Sequence, residues 1–184
     1  MYGLIALFDQ DTELLIKQIW KDLSEKSISF YAEEIEERKP HITIASYNNL
    51  DKSEFIRSMD QFYDSIHQVQ IAFHSLGTFL QSGTLFLSPT MSTALSNLHR
   101  NHHDYFKKYN DNPASLYLPG YWIPHCTLAN RLSHEKLCEA FAYCTNKIGK
   151  INARITEVTL IETIFDNSRC IAAPEVYSRK LLPL

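Results

Sequence analysis

The sequence repeats one short motif, first as Pro40-His41-Ile42-Thr43-Ile44-Ala45 and again, 84 residues later, as Pro124-His125-Cys126-Thr127-Leu128-Ala129. Because successive side chains of a strand point to opposite faces, each copy places its His and its Thr on one face, about 6.6 Å apart. The aliphatic residues and the Cys fill the opposite face. We therefore predict two strands that each present an imidazole beside a hydroxyl.

Brought together, the two strands form a pocket with two imidazoles and two hydroxyls. Histidine titrates near neutral pH, so one imidazole can remove a proton while the other delivers one. The threonine hydroxyls can hydrogen-bond phosphoryl oxygens. This set of groups suits proton transfer at a phosphodiester. No cluster of Asp, Glu and His flanks either motif at metal-ligand spacing, so we expect neither a metal nor another cofactor.

The paired His-x-Thr-aliphatic motifs resemble those of the 2H phosphoesterase superfamily, which contains the 2′-5′ RNA ligase and cyclic phosphodiesterase families. The resemblance implies that His41 and His125 are the catalytic acid and base, and that Thr43 and Thr127 bind the phosphate. It does not say which histidine is the acid. It also implies a cyclic phosphodiesterase or 2′-5′ RNA ligase-like enzyme that hydrolyses, or reversibly ligates, 2′,3′-cyclic or 2′-5′ phosphodiesters of small nucleotides or RNA ends.

The second motif departs from the family pattern at its end. Many family members have an arginine in the position of Asn130, whereas here the arginine follows as Arg131. If the strand stays regular, Arg131 falls on the face of His125 and reaches an anion. Tyr121 precedes the motif and can stack on a base, so we assign both Arg131 and Tyr121 to substrate binding.

Hydrophobic periodicity predicts an α+β fold that repeats roughly around each motif. We expect a single domain over residues 1–184 with two intimately packed lobes, in a pseudo-two-fold arrangement. In that arrangement two antiparallel-rich sheets face a central cleft, with helices on the outside.

Several elements are predicted individually, with helix caps at Asp11, Asp51 and Ser133. Residues 28–35 alternate as a strand does. A helix near residues 91–106 buries Met91, Leu95, Leu98 and Phe106.

Composition places further limits on partners. The formal net charge of −3 argues against sequence-independent binding to duplex DNA, for which a basic surface is expected. The apolar start of the chain is far shorter than a membrane span and reads as a strand. The four cysteines form no CxxC pair. We expect a cytoplasmic protein, a monomer, that binds a small nucleotide or an RNA end and no membrane.

Three other interpretations of the histidines stay open. Each His-x-Thr can be an ordinary strand segment, although the repetition at matching offsets argues against it. The pocket can instead serve a nucleotide-binding or RNA-end-binding module without catalysis. His99, His102 and His103 have the i, i+3 and i+4 spacing of a helical metal site, but their polar neighbours favour a solvated helix face.

Overall fold

The computed structural model describes residues 1–167 and 169–184. Strands and helices alternate along these residues, with short 3-10 helices at Tyr31–Glu34 and Lys107–Tyr109. The strands and α-helices are, in chain order, β1 (Tyr2–Phe8), α1 (Gln10–Glu25), β2 (His41–Tyr47), α2 (Lys52–Tyr63), β3 (Val69–Phe79), β4 (Thr84–Pro89), α3 (Thr93–Tyr105), β5 (Cys126–Ala129), α4 (His134–Lys147), β6 (Ile151–Glu162), β7 (Ile164–Asp166), β8 (Arg169–Ala172) and β9 (Glu175–Lys180).

The main sheet is antiparallel and has the strand order β2-β1-β6-β3-β4-β5, with β9 paired to β6. The two motif strands, β2 and β5, therefore lie at opposite ends of this order. Strand β6 joins the two halves, because its beginning pairs with β3 while the rest pairs with β1 and β9. The predicted α+β class with antiparallel strands is confirmed. The two sheets expected from the sequence are joined through β6 into one seven-stranded sheet. Strands β7 and β8 form a separate two-stranded hairpin.

Helix ends follow the predicted capping chemistry at two of three positions. The Asp51 carboxylate accepts a hydrogen bond from the Glu54 backbone N–H (2.9 Å), and the Ser133 hydroxyl accepts one from the N–H of Lys136 (3.2 Å). The predicted cap at Asp11 is wrong, since Asp9 caps α1 and accepts from the N–H of Thr12 (3.0 Å). Asp9 also accepts from the N–H of Arg154 on β6 (2.7 Å), so this cap ties α1 to the sheet.

The strand predicted over residues 28–35 is wrong. This segment turns back on α1, because the N–H groups of Ile28 and Ser29 donate to the Leu23 carbonyl at the helix end. Tyr31 then begins a 3-10 helix and packs edge-on against Trp20, with ring centroids 5.8 Å apart. Ile28, Tyr31 and Ile35 are buried by this packing rather than by a sheet face.

Helix α3 also differs from the prediction. Met91 lies before the helix and is 51% exposed, so it is not part of the buried side. His99, His102 and His103, expected on a solvated face, are buried instead. They occupy the helical spacing that continues the stripe from Leu95 and Leu98.

The face of the motif strands opposite His and Thr lies in the core. Ile42, Ile44, Cys126 and Leu128 are fully buried there. They share the core with apolar residues of α1, α2 and α3, namely Ile16, Phe55, Met59 and Leu95. The His and Thr side chains on the other face remain partly exposed, as the alternation predicts. Among the described residues, no helix has the length and apolar character that crossing a bilayer requires.

Candidate functional site

Both motif histidines make the same hydrogen bond to the backbone. Nδ1 of His41 lies 2.7 Å from the Lys39 carbonyl oxygen, and Nδ1 of His125 lies 2.7 Å from that of Ile123. A carbonyl oxygen only accepts, so each Nδ1 carries the hydrogen. In the neutral ring, Nε2 is then the nitrogen that can take a proton.

A proline stands between each histidine and its carbonyl partner. Proline fixes its own φ and holds the preceding residue in an extended conformation. Pro40 and Pro124 therefore fix the position of the carbonyl that sets each imidazole's tautomer. This accounts for the proline that both motifs share.

The motif threonines are held by tryptophans from the other half of the sequence. The Trp122 indole N–H donates to the Thr43 carbonyl (2.9 Å), and the Trp20 indole N–H donates to the Thr127 carbonyl (3.1 Å). Trp20 lies on α1, before the first motif, and Trp122 lies just before the second. The two motifs are thus tied to each other through reciprocal contacts.

Two tyrosines repeat the same reciprocal pattern at the threonine side chains. Burial raises the pKa of Tyr117, and hydrogen bonding with the Thr43 side chain opposes that rise. Burial likewise raises the pKa of Tyr31, and the Arg38 charge and hydrogen bonding with the Thr127 side chain oppose it. Each threonine thus has a tyrosine from the opposite half at its side chain.

The two imidazoles lie close enough to influence each other. Burial, together with the smaller effects of the Arg38 and His125 charges, lowers the pKa of His41 to about 4, although the hydrogen bond to the Lys39 carbonyl opposes this shift. Burial lowers the pKa of His125 as well, against its bond to Ile123. The charge of His125 thus reaches His41, and the indoles of Trp20 and Trp122 join the two motif strands to opposite halves of the chain.

Arg38 is a site residue that the sequence analysis missed. Its guanidinium lies 3.9 Å above the ring of Tyr31, and its charge acts on His41. It also lies 3.8 Å from the Glu34 carboxylate, and its Nε is buried without a hydrogen-bond acceptor among the described residues. In the sequence, Arg38 belongs to a charged stretch that reads as a turn, and no motif marks it.

A cavity of about 400 Å³ opens beside His41 and Arg38. Its apolar wall includes Ile5, Ile35 and Ile171, and its polar lining includes Lys39 and Thr159. Volumes of 300 to about 1,000 Å³ are typical of small-molecule sites. The cavity can therefore take a group of nucleotide size next to the first motif.

His125 borders aromatic rings instead of a guanidinium. The ring centroids of Phe79 and Phe86 lie 4.8 Å and 5.3 Å from that of His125. Gly77 leaves room for Phe86, since a Cβ at position 77 would lie 2.5 Å from its ring. Gly77 thereby determines where Phe86 packs against His125.

Arg131 does not continue the motif strand. Strand β5 ends at Ala129, and Arg131 has a left-handed backbone with φ of 57°. Its guanidinium binds the Glu34 carboxylate (2.5 Å). The regular strand that the sequence prediction assumed is therefore wrong at this residue, although Arg131 shares Glu34 with Arg38.

Tyr121 lies at the surface before β5 and is 68% exposed. Its neighbour Trp122 makes the contact with the first motif. A role for Tyr121 in substrate binding stays a prediction.

The three histidines of α3 lie behind the first motif. His102 is hydrogen-bonded to the hydroxyls of Tyr47 (2.7 Å) and Tyr63 (2.9 Å). Nε2 of His103 donates to the Ile44 carbonyl (3.2 Å).

His99 of the same helix supports Trp122. Nε2 of His99 donates to the Tyr117 carbonyl (2.8 Å), and its ring stacks on Trp122 at 3.8 Å between centroids. Within residues 1–167 and 169–184, no group of three metal-ligating side chains converges here or elsewhere. Of the three, His99 packs against residues that contact Thr43, while His102 and His103 are bound by tyrosine hydroxyls and by the Ile44 carbonyl.

Solved structures share this fold at low sequence identity. Apo LigT of E. coli matches with a TM-score of 0.63 and 15% identity, covering 98% of this chain and 96% of LigT. A crystal structure described as a phosphoesterase matches with a TM-score of 0.62, 13% identity, and coverage of 98% and 97%. A protein of Thermus thermophilus matches with a TM-score of 0.62 and 10% identity, and the match covers 98% of this chain and 97% of that protein.

The family is identified by a match to a family model rather than to a single protein. No curated protein sequence gives a significant match. The family model described as the 2′-5′ RNA ligase superfamily matches residues 10–166, a range that includes both motifs. The chain therefore belongs to the 2′-5′ RNA ligase superfamily, as its paired His-x-Thr motifs predicted.

Proposed function

We propose that the protein is a metal-independent phosphoesterase that acts on 2′,3′-cyclic or 2′-5′ phosphodiesters of small nucleotides or RNA ends. The observation that carries this proposal is the pair of imidazoles with identical tautomers, each leaving Nε2 free for proton transfer. Membership of the superfamily supports a phosphoesterase or ligase role. E. coli LigT, which shares the fold, has been crystallised with 3′-AMP, a nucleotide of the size proposed here.

In hydrolysis, one histidine activates water and the other protonates the leaving group. His41, with a pKa of about 4, is neutral above that pH and takes the proton from the attacking water at Nε2. The water oxygen bonds to phosphorus, and the bond from phosphorus to one sugar oxygen breaks. His125, in its protonated form, gives its Nε2 proton to that oxygen. Ligation runs the same transfers in reverse.

The threonine hydroxyls stabilise the phosphoryl group during this exchange. The hydroxyls of Thr43 and Thr127 donate to the non-bridging oxygens as negative charge increases in the transition state. The Tyr117 and Tyr31 side chains lie beside these hydroxyls, each from the opposite half of the chain. Because both threonine carbonyls are bound by indoles, the distance between the motifs is fixed before substrate arrives.

The test is a panel of nucleoside 2′,3′-cyclic phosphates and 2′-5′ dinucleotides, assayed with and without EDTA. We expect turnover that survives the chelator and falls by a factor of about 10² to 10⁴ when His41 or His125 becomes Ala. His134→Ala, at an exposed position, is the matched control and should keep full activity. Undiminished turnover in the His41→Ala, His125→Ala double variant would contradict the proposal. Saturable binding without any product would favour the binding module instead.

A further inference from the structure

Three arginines share one carboxylate at the edge of the site. Glu34 pairs with Arg131 (2.5 Å), Arg169 (3.6 Å) and Arg38 (3.8 Å). Glu34 is the only acid within ion-pair distance of these arginines in the part of the chain that the structure describes. One negative charge therefore faces three positive charges, in a chain whose formal net charge is −3.

The cluster extends from the interior to the solvent. The exposed fraction of the side chain rises from 11% at Arg38 to 45% at Arg131 and 59% at Arg169, while that of Glu34 is 16%. The outer guanidiniums thus have N–H groups free for a ligand beyond those facing Glu34. A guanidinium has five donors, so it can bind a carboxylate and a phosphate together.

Arg38 connects this cluster to the reacting centre. It lies against Tyr31, which contacts Thr127, and its charge acts on His41. Its Nε donor is buried and unsatisfied among the described residues. A buried donor without an acceptor is rare and costly, and a ligand oxygen is one way to satisfy it.

Arg131 has a strained backbone conformation, with a positive φ of 57°. A left-handed backbone is uncommon for a residue other than Gly, and such residues cluster at functional sites. The Asn130 side chain stabilises this turn, because its Oδ1 accepts from the Arg131 N–H (2.9 Å) and from the Thr84 hydroxyl (2.7 Å). Asn130 stands where many family members have an arginine, and here it directs the next residue to Glu34.

The charge of the neighbouring cavity is not uniform. Glu36 and Glu37, both exposed, line the cavity that contains Arg38 and His41. The excess of positive charge is therefore concentrated at the arginines around Glu34.

We propose that Arg38, Arg131 and Arg169, arranged around Glu34, bind a second phosphate of the substrate. The preferred substrate is then a nucleotide or short RNA end that carries a further phosphate beside the diester that reacts. This inference rests on the proposed function and specifies its substrate class. It also explains how a chain with negative net charge can bind an anionic substrate, since positive charge is concentrated at these three arginines.

The test compares two ligands by isothermal titration calorimetry, so it does not depend on turnover. Adenosine 3′-phosphate is the one-phosphate probe, and adenosine 3′,5′-bisphosphate is the two-phosphate probe. We expect the bisphosphate to bind about 10-fold more tightly at low salt, with the difference shrinking as salt is added. The Arg131→Gln, Arg169→Gln double variant should lose most of this preference, because its affinity for the bisphosphate should fall towards its affinity for the one-phosphate probe.

Arg100→Gln, at an exposed position on α3, is the matched control and should keep the preference. Both altered arginines of the double variant are partly exposed, so the variant should fold, which circular dichroism checks. Equal affinities for the two probes, or a preference that survives in the double variant, would overturn the inference.

A parallel kinetic assay separates this inference from the proposed function. It uses adenosine 2′,3′-cyclic phosphate with and without a 5′-phosphate. Turnover of both at equal kcat/KM would overturn the second phosphate site and leave the phosphoesterase intact. A bisphosphate preference in binding without turnover of any cyclic substrate would support the site and contradict the proposed enzyme.

Discussion

His41 and His125 make the same backbone hydrogen bond, yet a guanidinium lies near the first and two phenylalanine rings lie near the second. The shared features are those that paired proton transfer requires, namely the tautomer, the neighbouring Thr and the indole that holds each strand. The unshared features make the two imidazoles chemically unequal. The comparison suggests that the repeat supplies the reaction geometry and that the surroundings decide which histidine is the base.

The largest predicted effect beyond the histidines tests the shared features. Thr43→Val and Thr127→Val each remove a hydroxyl while keeping a β-branched side chain suited to a strand. We expect each to lower kcat/KM for a 2′,3′-cyclic nucleotide by about 10². The corresponding serine variants, which keep the hydroxyl, should recover most of the activity. A large loss at one threonine and none at the other would break the equivalence of the motifs.

A glycine on β3 tests the surroundings of His125 alone. In Gly77→Ala the new Cβ would lie 2.5 Å from the Phe86 ring, so this ring must shift and its packing against His125 must change. We expect kcat to fall about 10-fold, since small displacements of a catalytic group are costly, with a stability loss of about 1–3 kcal/mol.

The control for this variant is Gly149→Ala, where a Cβ would meet no atom of the described residues within 4 Å. NMR titration of the imidazoles should show a changed pKa for His125 and an unchanged one for His41. A change confined to His41 would contradict the local account.

The tryptophans test the reciprocal support between the halves. Trp20→Phe and Trp122→Phe each remove one indole N–H from a threonine carbonyl, which should lower the unfolding free energy by about 1 kcal/mol. We expect similar losses of stability and of kcat/KM in the two variants, because each indole also packs on another ring, Trp122 on His99 and Trp20 on Tyr31. Urea unfolding and steady-state kinetics measure both effects, and a large loss in one variant with none in the other would contradict reciprocal support.

The sequence predicts the parts of this site that local periodicity encodes. Alternation within the two motifs correctly separates the buried Ile42, Ile44, Cys126 and Leu128 from the His and Thr face. Turn and cap chemistry locates α2 and α4 through Asp51 and Ser133. Both kinds of signal depend on residues that are close in sequence, so they can be recognised without knowledge of the tertiary contacts.

The remaining site residues depend on contacts between distant segments. Arg38, Trp20 and Trp122 reach the motifs only after the chain folds, and no repeated spacing marks them. The error at residues 28–35 has the same origin, since their apolar residues are buried against α1 rather than in a sheet. The buried α3 histidines did carry a signal, because they continue the stripe of Leu95 and Leu98, but their polar neighbours suggested solvent.

The pH dependence of kcat/KM for a 2′,3′-cyclic nucleotide tests most directly whether two unequal imidazoles share the proton transfers. The base must be neutral, so activity should rise with pH through the pKa of His41, about 4. The acid must be protonated, so activity should fall as pH passes the pKa of His125, which burial holds below 6.5. We predict a bell between these limits, whose acid limb disappears in His41→Ala and whose alkaline limb disappears in His125→Ala. A flat profile from pH 4 to 8, or limbs that disappear in the opposite variants, would contradict this account.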